Sequence, residues 1–70
     1  MKEITAPMGG KIIKVLVKVN DSVSEDDEVI VLEAMKMEMP ILCEEDCTVA
    51  DIKAAVGQTV EAGQVLIILS

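Results

Sequence analysis

The chain has no tryptophan, tyrosine, phenylalanine, histidine or arginine. Without aromatic rings its core must come from Val, Ile, Leu, Met and Ala. At 70 residues that core is small, because a domain of this size buries only about 60% of its unfolded surface. The missing histidines and a bare two cysteines leave a zinc site short of its four ligands. Six lysines face thirteen carboxylates, a net charge of −7. No basic patch exists to displace counterions from phosphates, which argues against nucleic acid as a partner. No apolar run approaches the roughly 20 residues needed to span a bilayer, and direct membrane insertion is not expected. Met1 leads straight into the polar Lys2-Glu3, so no signal peptide is expected either. A cytoplasmic location is the default expectation.

The acidic runs Glu25-Asp26-Asp27-Glu28 and Glu44-Glu45-Asp46 lack the alternating ligands and turn glycine of a calcium loop. They read as solvated loops. Cys43 and Cys47 read as free thiols, since a disulfide is not expected in a reducing compartment.

Val and Ile together make eighteen residues, a strand-forming bias. Shifted by 37 residues, the two halves fall into register without a gap. Val19, Val23 and the run Val29 to Leu32 meet Val56, Val60 and the run Leu66 to Leu69. Ahead of these, Ile13, Val15 and Val17 meet Ala50, Ile52 and Ala54. Asn20-Asp21 meets Gly57-Gln58 and Asp26-Asp27 meets Gly63-Gln64, all residues that ease positive φ in turns. The pattern predicts an all-β fold of two similar layers about a pseudo-twofold axis, a small sandwich or flattened barrel. Residues 1–70 form a single domain on this reading. Strands are expected at Glu3–Ala6, Lys11–Val19, Glu28–Ala34, Met37–Cys43, Cys47–Ala55 and Gln64–Leu69, with short pairings at Val23 and Val60. "APMGG", Ala6 to Gly10, reads as a bend; a strand follows it, which disfavours a phosphate loop.

Within "VLEAMKMEMPI", Met35-Lys36 takes the place of a two-residue hairpin turn that normally uses Asn-Gly or Asp-Gly. Counting outwards pairs Ala34 with Met37, Glu33 with Glu38, Leu32 with Met39 and Ile30 with Ile41. Met37 then falls on the core face, and Glu33 opposes Glu38, a mildly destabilising pair. A tip that breaks both turn chemistry and charge pairing is expected where function overrides stability. No histidine, second cation or apolar pocket is at hand to deprotonate Lys36, so it reads as a substrate for an enzyme that supplies the base. Met35 has no packing reason to be apolar on an exposed turn and reads as a contact residue.

"EAMKM", Glu33 to Met37, resembles the attachment motif of biotinyl domains, the carriers of biotin-dependent carboxylases, decarboxylases and transcarboxylases. The resemblance covers nearly the whole chain. It includes Ala6-Pro7-Met8, Gly10, Val19, Val23, Gly57, Val60, Gly63 and Val65-Leu66. Asn20, Asp26 and Cys47 depart from it, standing where the family commonly has glycine. The resemblance implies a flattened barrel of two four-stranded sheets, with biotin joined to the Lys36 ε-amine by a biotin protein ligase. Glu33, Ala34, Met35, Met37 and Glu38 are the implied flanking recognition residues. Biotin carboxylase and carboxyltransferase or decarboxylase subunits are the implied partners. With no base, metal site or nucleotide-binding loop legible, the chain reads as a carrier and not an enzyme. Rival readings are a lipoyl carrier domain of a 2-oxo acid dehydrogenase complex, which typically has Asp-Lys-Ala at the tip, and an unmodified barrel-sandwich interaction module. A free-standing subunit and one domain of a longer chain are both compatible with the sequence.

Overall fold

The computed structural model describes residues 2–70; Met1 lies outside them. Its elements are β1 (Lys2–Thr5), β2 (Gly10–Val15), β3 (Ser22–Val23), β4 (Glu28–Ala34), β5 (Met37–Leu42), β6 (Cys47–Ile52), β7 (Thr59–Val60) and β8 (Val65–Leu69). They form two four-stranded antiparallel sheets, ordered β1-β8-β6-β3 and β5-β4-β2-β7. The sheets enclose a core built on Ile12, Ile30, Leu32, Val49, Leu66 and Ile67. Burying each such side chain contributes about 1.5–3 kcal/mol, which is how a chain without aromatics closes a core.

The 37-residue repeat extends into the irregularities. In β2 the pairing with β4 skips Ile13, and in β6 the pairing with β8 skips its repeat mate Ala50. Val29 is skipped in β4, and its mate Leu66 in β8. Each skipped residue is a bulge, which re-aims the side chains around it. The bulges explain why Val29-Ile30 and Leu66-Ile67 are buried as neighbours instead of alternating. They also correct the alternation expected from Ile13: Ile12 and Val49 are the fully buried residues, while Ile13 and Ala50 are only half-buried.

The expected boundaries agree within one residue except at two places. β2 stops at Val15 and not Val19, and β6 stops at Ile52 and not Ala55. Beyond each end the chain keeps one bond to its own sheet, from Leu16 N–H to Val29 O or from Lys53 N–H to Leu66 O. It then crosses to the other sheet, where Asn20 N–H donates to Val49 O and Gly57 N–H to Ile12 O. Four turns close these crossings, in matched pairs. Asn20, Asp26, Gly57 and Gly63 all hold positive φ. In each turn a side-chain oxygen three residues on accepts a backbone N–H: Lys18 to Asp21, Ser24 to Asp27, Ala55 to Gln58 and Glu61 to Gln64.

The acidic loops therefore have structural work. Asp21 and Asp27 brace turns, and Asp46 accepts the Glu25 N–H at 2.9 Å, tying the two runs together. Lys2 forms an ion pair with Glu45, and Ser70 exchanges backbone bonds with Thr48, so both described chain ends sit at this pole. Elsewhere, Lys53 at 2.9 Å and the Ile52 N–H hold the Asp51 carboxyl below the usual aspartate range. Both cysteines are free thiols. Cys43, however, is a core residue whose Sγ donates to Glu45 O at 2.8 Å. Burial and the nearby Asp27 carboxylate push its pKa up, so packing and not reactivity is its role.

Candidate functional site

The hairpin register is the one obtained by counting: Ala34↔Met37, Glu33↔Glu38, Leu32↔Met39 and Ile30↔Ile41. A two-residue turn on this register needs positive φ at both central residues, and Met35 (φ 54°) and Lys36 (φ 64°) both adopt it. This conformation costs an L-residue roughly 1–2 kcal/mol. Neither side chain offers the local hydrogen bonds that ease it for Asn or Asp. Among the described residues the ion pairs are Lys2–Glu45 and Lys53–Asp51, so the exposed Lys36 amine is in neither.

Ala34 is buried beneath the turn, and Glu33 and Glu38 point outwards and are exposed. Met35 is 86% exposed, as its place on the turn requires. Met37 corrects the sequence reading: it is 66% exposed and fills no space in the core. Its parity is right, but it is the first residue of β5, an edge strand with a neighbour on one side only. Lys11 was missed by counting within the hairpin alone. It lies opposite Glu33 on β2, so a cation continues the row Lys11–Glu33–Glu38 and offsets the like-charge pair. A cleft of about 310 Å³ runs between edge strands β1 and β5, lined by Ile4, Pro40, Leu42 and Glu44 among others. None of its lining residues belongs to the turn.

The left-handed turn thus leaves the Lys36 amine exposed and outside both ion pairs. A family model described as "Biotin-requiring enzyme" matches residues 2–69. The chain belongs to this biotin/lipoyl family. Among the relatives of this family domain is the biotin carboxyl carrier protein of Streptococcus mutans, 51% identical over 65 residues. That alignment takes in 93% of the chain but only 50% of the relative, so the chain spans half that protein's length. Urea carboxylase of Kluyveromyces lactis contains a similar domain, with TM-score 0.91 and 30% identity over 99% of this chain and 6% of that one. The lipoyl domain of the 2-oxoglutarate dehydrogenase complex of Azotobacter vinelandii has a TM-score of 0.79 at 25% identity, covering 96% of this chain and 95% of that one. The same fold thus serves biotinyl and lipoyl domains, and the residues on the turn must separate them.

Proposed function

We propose that Lys36 is the site of covalent biotin attachment and that the domain is the carboxyl carrier of a multi-component biotin-dependent carboxylase, decarboxylase or transcarboxylase. The observation that carries this reading is the left-handed Met35-Lys36 turn, set in "EAMKM" at an exposed tip. The sequence around the lysine is Met-Lys-Met, not the Asp-Lys-Ala typical of lipoyl domains, and the 51% identical relative is a carboxyl carrier.

The exposed amine is what attachment requires. The ε-nitrogen would form an amide with the carboxyl carbon of biotin once ATP has activated its oxygen. That oxygen leaves with the nucleotide as the C–N bond forms, and the proton the amine loses goes to a base on the ligase, since the turn carries none. Once attached, biotin supplies a ring nitrogen that accepts a carboxyl group at one active site and releases it at another. The chain supplies position. The two-residue turn fixes where the Lys36 backbone stands, and the exposed side chain gives the arm. Tethering of this kind raises effective concentration to about millimolar for short linkers. Met35 and Met37 offer apolar contact to the ligase and to the carboxylase, carboxyltransferase or decarboxylase subunits, and Glu33 and Glu38 flank the approach.

Incubation with a biotin protein ligase, biotin and ATP is expected to add the mass of one biotinoyl group. It should also shift the net charge from −7 to −8, because one lysine charge is lost. Lys36→Arg should show neither change, since the guanidinium cannot be the acylated amine. Labelling of Lys11, Lys14 or Lys18 in that variant would refute the site. Modification by a lipoate ligase and not by a biotin ligase would transfer it to the lipoyl reading.

A further inference from the structure

The bend Ala6 to Gly10 is left without a role by the carrier reading, yet its last residue touches the lysine hairpin. Gly10 opens β2, pairing with Val60 of β7 on one side and lying beside the end of β4 on the other. A Cβ built on Gly10 would overlap the backbone carbonyl oxygen of Glu33 and come within 3.2 Å of Ala34 Cβ. Gly10 does not hold positive φ, so glycine is needed there for space and not for backbone freedom. The neighbouring Gly9 has no such need: its Cβ would meet Val60 O at 3.5 Å, an ordinary contact.

Glu33 and Ala34 are the last two residues before the turn, and β5 beyond it is an edge strand. The height and tilt of the turn therefore depend on how closely β4 can settle against β2. We infer that Gly10 is a positioning residue for the modification and transfer reactions: its bare Cα is the seat that fixes where Lys36 stands. A methyl group at this position must displace backbone, because the atom it meets is a carbonyl and not the end of a flexible side chain. The displacement passes directly into the two-residue turn.

The inference rests on Lys36 being the modified lysine for its kinetic arm only. In Gly10→Ala the backbone amide resonances of Met35 and Lys36 should shift, and kcat/KM for ligation should fall by about tenfold or more, since about 1 Å of misplacement can cost about 100-fold. Gly9→Ala should leave both unchanged. Val23→Ala, a core residue of β3 in the other sheet, should lower the melting temperature but leave ligation of the folded protein normal, which separates positioning from stability. Ala34→Val crowds the same gap from the hairpin side. It should reproduce the loss, and it decides the matter if Gly10→Ala does not fold. Wild-type chain that accepts no biotin would overturn the carrier reading. Unmoved amide resonances and a ligation rate equal to that of Gly9→Ala would overturn this one.

Discussion

Met35 and Met37 flank the same lysine but stand there for separable reasons. Met35 holds positive φ, which a β-branched replacement would tolerate worst. Asparagine removes the apolar contact and eases the backbone at once. Met35→Asn is expected to stabilise the fold by about 0.5–1 kcal/mol, a part of the left-handed cost, while slowing ligation or carboxyl transfer. Met37→Ala should change stability by no more than about 0.5 kcal/mol, not by the larger cost of a core truncation, because two-thirds of the side chain is already in solvent. Paired melting curves and partner kinetics check both. A destabilised Met35→Asn with normal rates would make Met35 structural. At this scale the sequence was legible where the reason is local. The Met-Lys turn and the Glu33–Glu38 pairing follow from counting. The burial of Cys43 also fits, since it shares a face with Ile41, but the exposure of Met37 does not, because parity gives the face and not how much of it is covered.

Turns show the repeat more clearly than strands do. Asn20 and Gly57 occupy one turn type, and Asp26 and Gly63 its partner, all with positive φ. The departures from glycine at Asn20 and Asp26 thus keep the geometry, using the two residue types that tolerate it. Space is not the constraint at Gly57, where an added Cβ would meet nothing within 4 Å. Gly57→Ala should therefore cost about 1 kcal/mol through backbone strain alone. Gly57→Asn should stay near wild type, as its repeat mate demonstrates. Urea midpoints for the two variants measure the difference, and equal midpoints would mean that strain is not felt there. Strand positions and the pseudo-twofold were readable from hydrophobic pattern and turn residues. The bulges at Ile13 and Ala50 were not. Alternation is counted in steps of two, and a bulge inserts one residue that no local letter announces.

Neither sheet belongs to one half of the chain. β1 and β3 complete the sheet that holds β6 and β8, and β5 and β7 complete the sheet that holds β2 and β4. Halves of this length fall below the roughly 40 residues at which chains without a disulfide or metal usually fail to fold alone. Fragments 1–36 and 37–70 are each expected to give the circular dichroism of an unfolded chain, where the whole gives a β-sheet spectrum. A folded fragment would show that the halves are autonomous. The interleaving also decides where the chain ends lie. Lys2 pairs with Leu69 across β1 and β8 as Met39 pairs with Leu32 across the lysine hairpin. The ends thus occupy the repeat's other hairpin tip, beside Glu45 and Thr48. Anything joined to either end, whether a tag, a linker or a neighbouring domain, is moored at the stern. The lysine stays at the bow, clear of that cable.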